Sequence, residues 1–284
     1  GFLFLAQKLR MLGLIDLHNH TTRCGHASGE MTAYVERALA LGLRDFGFSD
    51  HSHWMLHDNR GRRYAMQADE LDAYVADVRA LQARYDRGGA QPFNIRLGME
   101  MDFIPSRLDE AFAVQQRYPW DYIIGSVHNI GFEKLQEPEM YSQWHIEDVC
   151  ELYFHQLGVM LRAGFCDIVG HLDLPKKMGR RPRGGLLAYV EPLVPDLLAA
   201  GVAVEINTSG RDAPAGESMP GREIVACLAG AGVPLTLGSD AHAPHSVGRH
   251  FAETLRELRE FGVRELVRFE QRRMIPVPLD ALPR

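Results

Sequence analysis

The sequence predicts an α/β barrel of parallel strands wrapped by helices, and three observations predict it. Short apolar runs alternate with longer windows of helical period along the 284-residue chain. Glycines stand where those helices should stop. Nine His, Asp or Glu side chains fall at strand ends or just after them: His18, His20, His26, His51, Glu100, His128, His171, Asp240 and His242. Repeated strand–helix alternation calls for parallel strands joined by right-handed crossovers. An open sheet binds ligands at one switch point, whereas a barrel collects residues from the C-terminal ends of nearly all its strands. Because almost every strand here delivers an imidazole or a carboxylate, a single-domain barrel is the expected architecture.

The opening Gly1-Phe2-Leu3-Phe4-Leu5-Ala6 is followed by Lys8 and Arg10. With no basic region ahead of its apolar run it makes a poor signal peptide. Residues 1–12 are expected to be an amino-terminal extension, either a short amphipathic lead-in or a start-site-derived addition, and the start on Gly points to processing. The first strand, 14–17, leads into Asp16-Leu17-His18-Asn19-His20. In extended chain, residues i and i+2 point the same way, so His18 and His20 can grip one ion. His26 follows in a loop that lets it bend back over the same mouth, and Cys24 between them is a lesser ligand candidate. A helical window over 31–41 precedes strand 45–48, which ends in Ser49-Asp50-His51. A second window, 71–85, precedes strand 95–101. There Glu100 sits inside an otherwise apolar run, and burying it unpaired would cost several kcal/mol. It therefore requires a cation or a donor network, an arginine salt bridge being the plain alternative.

Strand 122–127 ends at His128, and strand 167–169 runs into Gly170-His171. Between them lies a helical window over 146–163. Strand 202–206 is followed by strand 234–237, whose end places Asp240 and His242 two residues apart. In the last window, 251–261, Phe251, Leu255 and Leu258 form one stripe while Glu253, Arg256 and Glu257 should face water. Gly42, Gly164, Gly201, Gly232 and Gly262 mark helix C-termini. Nine ligands exceed the roughly four that a zinc-type ion takes. They predict two or three divalent ions with Glu100 bridging, and mixed N/O ligation suits Zn, Mn or Fe.

A net charge of −6 argues against a general nucleic-acid binder. No apolar stretch reaches the ~20 residues of a membrane-spanning helix. Four cysteines without a C-x-x-C pair suggest reduced thiols in a cytoplasmic protein.

The stretches His18-Asn19-His20, Ser49-Asp50-His51, Ser126-Val127-His128 and Ser239-Asp240-Ala241-His242, with His26, Glu100 and His171 between them, resemble the PHP (polymerase and histidinol phosphatase) superfamily of metal-dependent phosphoesterases. The resemblance spans about 14–279. Residues 121–128, 170–177, 205–210, 238–244 and the tail 269–279 are most similar to PHP-type histidinol-phosphatases. The resemblance implies a distorted seven-stranded (β/α)7 TIM-like barrel holding two or three ions. It places His18, His20, Glu100 and Asp240 on one ion, Glu100, His128 and His171 on a second, and His26, His51 and His242 on a third. Two departures bear on the substrate. Arg211 follows Gly210 directly where members usually have one residue between, and Met219 precedes Pro220 in a divergent 212–220 loop where an aromatic is usual.

The implied reaction is hydrolysis of a small phosphorylated metabolite by metal-activated hydroxide, with L-histidinol phosphate, of histidine biosynthesis, as first candidate. Asp50, Asp240 or a metal-bound water would protonate the leaving group. Residues 176–183 carry five positive charges, Lys176, Lys177, Arg180, Arg181 and Arg183. They form a solvated basic loop or one that steers anions inward, and Lys176 and Arg211 are the expected phosphate contacts. Two alternatives are a PHP phosphoesterase acting on nucleotides or oligonucleotide ends and a non-catalytic metal-binding scaffold. No membrane or stable nucleic-acid partner is expected.

Overall fold

The computed structural model describes residues 14–54, 63–89, 92–131 and 133–279, so the extension expected over 1–12 lies outside the described residues. Strands β1 (Ile15–Asp16), β2 (Asp45–Phe48), β3 (Asn94–Asp102), β4 (Tyr122–Ser126), β5 (Ile168–Val169), β6 (Ala203–Asn207) and β7 (Leu235–Gly238) pair in parallel, in chain order, as one seven-stranded sheet. Backbone bonds draw its two edges together. Leu17 N–H donates to the Leu237 carbonyl at 3.1 Å, and His20 N–H to that of Ala241 at 3.0 Å. The result is a nearly closed barrel.

A helix of seven residues or more follows each strand, α1 (Met31–Leu41), α2 (Leu71–Tyr85), α3 (Leu108–Arg117), α4 (Ile146–Arg162), α5 (Val194–Ala200), α6 (Arg222–Gly230) and α7 (Phe251–Glu260), with a four-residue helix ahead of α4 (Met140–Gln143) and of α5 (Leu187–Val190). The windows with a broad apolar stripe give α1, α2, α4 and α7 almost residue for residue. α3 buries only Ala111 and Val114, a stripe too thin to stand out in sequence. Gly42 ends α1 at φ +79°, its N–H donating to the carbonyls of Ala38 and Leu39, a backbone shape that glycine adopts without a Cβ penalty.

Inside the barrel, alternation along each strand grades from apolar to polar. Tyr122, Ile124 and Ser126 share one face of β4, as do Ala203, Glu205 and Asn207 on β6 and Gly98, Glu100 and Asp102 on β3. Low in the barrel, Leu17, Tyr122, Ile124, Ile168 and Ala203 pack together. The Tyr122 hydroxyl donates to the Leu17 carbonyl at 2.6 Å. A Cβ on Gly98 would lie 2.3 Å from the Tyr122 ring carbon bearing that hydroxyl, so only glycine leaves this ring its space.

The amino-terminal end is sealed by a hairpin, β8 (Glu265–Glu270) with β9 (Arg273–Pro278). The resemblance of the tail did not foresee this pairing. Val267 and Phe269 pack onto the Tyr122 cluster, and Thr236 Oγ1 donates to the Val267 carbonyl at 2.7 Å. Buried charge at this end is matched by guanidinium groups. Arg96 Nε donates to Asp45 Oδ1 at 2.6 Å and Arg268 lies 3.5 Å from the same oxygen. Asp167 pairs with Arg272.

Candidate metal centre

At the opposite end, the strand termini converge on Glu100, which is 1% exposed. Among the described residues no arginine is its partner. Five imidazoles surround it instead: His18 Nε2 at 3.1 Å, His20 Nε2 at 3.7 Å and His51 Nδ1 at 2.9 Å from Oε2, with His128 Nε2 at 3.3 Å and His171 Nε2 at 3.0 Å from Oε1. Ser126 Oγ donates to Oε1 at 2.7 Å. Asp240 closes the ring beside His20 Nε2 at 3.0 Å, and accepts from Asn207 Nδ2 and Ser209 Oγ on its other oxygen. His171 and Asp240 hold their side chains inward with left-handed backbones, φ +24° and +49°. Such conformations cost about 1–3 kcal/mol in non-glycine residues, and they persist where surroundings over-determine them.

Carboxylates behind the ring aim several imidazoles. His18 Nδ1–H donates to Glu205 at 2.6 Å, and His128 Nδ1–H to Asp102 at 2.6 Å. Asp50 is 3.4 Å from His20 Nδ1. Each pairing fixes the tautomer and leaves Nε2 to the centre, the arrangement that orients metal-binding histidines. A Cβ on Gly238 would come within 2.1 Å of Glu205 Oε1, so a glycine makes room for that support. Glu205 and Asp102 are functional residues that the sequence reading missed. Glu205 lies in the apolar stretch 202–206 just as Glu100 lies in its own, and the same signal could have found it.

Electrostatics split the ring in two. Burial raises the Glu100 carboxyl, but His51, His18 and His128 outweigh it and hold it well below the usual range. Asp240 is likewise raised by burial and held low by His18 and His20. Burial disfavours charge on His128, yet Asp102 and Glu100 raise it to about 9. His26 moves the other way, lowered to about 3 by burial and by His51 and His20.

Every predicted ligand is in this one place. Three groups of donor atoms each lie within 4.8 Å of one another: His18, His20 and Asp240; Glu100, His128 and His171; and His26, His51 and His242. Buried His18 Nε2, Glu100 Oε2 and His242 Nε2 have no hydrogen-bond partner among the described residues. Orphaned buried polar atoms are costly, and a divalent ion taking N and O donors at about 2.0–2.2 Å satisfies them. The donor set fits such ions. Cys24 also comes near, grouped with His20 and His242. Burial pushes its thiol up, and Sγ donates to the Thr21 carbonyl at 3.1 Å, so it remains a protonated structural group.

The other site expectations need correction. Asp50 accepts from Thr21 N–H and the Thr21 hydroxyl and from His51 N–H. Burial raises its carboxyl, but His20 and Thr21 outweigh that and keep it low. It therefore reaches the centre through His20, whose Nδ1 it faces. Lys176 is fully buried, its Nζ 2.7 Å from Asp173, 3.0 Å from Glu217 and 2.9 Å from the Ser218 carbonyl. Arg211 pairs with Glu253 at 3.0 Å and Glu257 at 2.5 Å and donates to Ser218 Oγ. Buried cations need matching anions, and these come from Glu217 and α7. Neither Lys176 nor Arg211 bonds to a ring member among the described residues. Glu257, expected in water, is one of the anions so used. Arg183, with its side chain 97% exposed, is the solvated part of the basic loop.

A family model described as the PHP domain matches residues 16–209. The chain belongs to the PHP-domain family. Asp240 and His242 lie beyond that match, so this PHP-domain chain completes its ring from β7. It is 36% identical over 94% of its length, and all of the relative's, to a probable histidinol-phosphatase of Deinococcus radiodurans. With a histidinol-phosphatase of Lactococcus lactis it shares 25% identity, covering 90% of this chain and 94% of the relative. The crystal structure of histidinol phosphate phosphatase from Lactococcus lactis, complexed with zinc, L-histidinol and phosphate, superposes with a TM-score of 0.75. That alignment, at 23% identity, covers 93% of this chain and 99% of the other. No described helix is long and apolar enough to cross a membrane.

Proposed function

We propose that this chain is a metal-dependent phosphomonoesterase whose substrate is L-histidinol phosphate, cleaved to L-histidinol and phosphate in the cytoplasm. The observation that carries the reading is the buried Glu100 ringed by imidazoles with ion-sized gaps, in a chain similar along its length to histidinol-phosphatases. His18, His20, Glu100 and Asp240 would hold one ion, Glu100, His128 and His171 a second, and His26, His51 and His242 a third, with Zn, Mn and Fe all suited to the donors. When bound, the ions supply Lewis acidity, easing ionisation of water and neutralising phosphate oxygens.

The chain's residues do the rest. Glu205, Asp102 and Asp50 keep the ring nitrogens aimed inward. Asp240, ionised and at the edge of the ring, takes the proton that the attacking water gives up. As the water oxygen bonds to phosphorus on one side, the P–O ester bond breaks on the other, and a solvent water protonates the departing alkoxide. Free cysteines throughout the described chain agree with a reducing compartment.

The test pairs metal content of protein purified without chelator with a substrate panel assayed with and without chelator. Histidinol phosphate should turn over fastest, and chelator should abolish that turnover until metal is restored. Preference for nucleotide monophosphates would move the chain to the nucleotide-directed alternative. Turnover untouched by chelator would remove the metal reading.

A further inference from the structure

Six of the seven strands run into a candidate ligand, and β6 is the exception. It lies between β5 and β7, and in place of a ligand it turns the buried Glu205 into the barrel. The two carboxylate oxygens go to different ligands. Oε1 accepts from His18 Nδ1–H at 2.6 Å, and Oε2 accepts from the backbone N–H of His171 at 2.9 Å. Gly238 keeps the first path open, since a Cβ there would also lie 2.6 Å from the His18 Cβ. The second contact matters because His171 is aimed differently from its neighbours. His18 and His128 each have a carboxylate behind Nδ1, whereas the buried His171 Nδ1 has no hydrogen-bond partner among the described residues. The direction of the His171 ring therefore depends on its backbone, which stands at φ +24°. Such a conformation in a non-glycine residue persists where its contacts over-determine it. Glu205 supplies the contact on the N–H, while Leu174 N–H and the Tyr153 hydroxyl donate to the His171 carbonyl at 2.9 and 3.3 Å.

We infer that Glu205 is a positioning residue shared by two ion sites, one oxygen aiming the His18 ring and the other holding the His171 backbone. A carboxylate suits this double task because it offers two acceptor oxygens in one plane. The ion of His18 and Asp240 and the ion of His128 and His171 then depend on the same side chain, carried by the strand that binds neither. The inference rests on the metal-dependent phosphomonoesterase reading.

The experiment follows stepwise zinc binding to the full chain by chelator competition, alongside the thermal transition of the metal-free protein. Asp102→Asn, which disturbs the aim of His128 alone, marks the step that belongs to the His128 and His171 ion. Glu205→Ala and Glu205→Asp withdraw both contacts, so each should weaken the marked step and one other by about tenfold or more, with the thermal transition kept. Glu205→Gln retains one acceptor oxygen, and Asn207 Nδ2, 3.2 Å from Oε2, joins the His171 N–H in drawing it to that side. Its amide NH2 then meets His18, so Glu205→Gln should leave the marked step near wild type and weaken the other. Weakening of one step only, or of none, in Glu205→Ala overturns the inference, and Glu205→Asp decides instead if the alanine variant loses its transition. Loss of the transition in both makes Glu205 a scaffold residue and overturns it too, as does equal weakening of both steps in Glu205→Gln. Should wild type bind zinc yet hydrolyse no phosphomonoester, the functional reading alone fails, and the zinc steps still decide the role of Glu205.

Discussion

At the amino-terminal end of the barrel, Asp45 is buried against the guanidinium groups of Arg96 and Arg268. At the carboxyl-terminal end, Glu100 is buried just as deeply among imidazoles, with no guanidinium beside it among the described residues. A guanidinium is always charged, so the first end is balanced permanently and serves as scaffold. An imidazole can give up its proton, so a ring such as His128, raised beside Glu100 and Asp102, can yield its charge where a divalent ion would take its place. One fold therefore separates the carboxylates that hold it together from those that work, by choosing their cations.

Substitutions at the two ends should fail in different ways. The largest effect is expected at His128→Ala, which removes a donor shared with Glu100. Metal and activity should fall together, kcat/KM by on the order of a thousandfold, while the thermal transition survives. Elemental analysis showing full metal in that variant would contradict the assignment. Asp45→Asn should do the reverse. Arg96 and Arg268 keep their contacts with Glu270 but lose their buried anion, at a cost of about 3–5 kcal/mol in denaturant unfolding, with metal per folded chain unchanged. If its metal content fell as well, the separation of the two ends would be broken. Asp102→Asn sharpens the contrast, because it disturbs only the aim of His128. Metal affinity should drop by about 10–100-fold in a chelator competition, and unfolding should barely move. Smallest of all is Arg183→Ala, with stability within about 0.5 kcal/mol and kcat/KM unchanged. A large fall in kcat/KM there would restore the basic loop as a steering device.

The working end was more legible in sequence than the scaffold end. Its candidate ligands announce themselves locally, since His18 and His20 are two residues apart just after β1, as are Asp240 and His242 just after β7. Glu100 stands out as a charge in an apolar run. Pairings between distant segments were not visible. The count of charges at 176–183 could be read, but not that Glu217 and Asp173 would enclose Lys176, or that α7 would supply both anions to Arg211. Asp50 looked like a catalytic acid by its place beside His51, and only the Thr21 contacts show it to be a support. The hairpin β8–β9 was hidden for a similar reason. Its Val267 and Phe269 find partners in Tyr122 and Leu17, far back along the chain.

Among the described residues, the Tyr122 ring and the hairpin packed beneath it close the back of the barrel. Reactant and both products must share a single doorway. Free phosphate should accordingly compete with the incoming ester, so that its accumulation slows the next cycle.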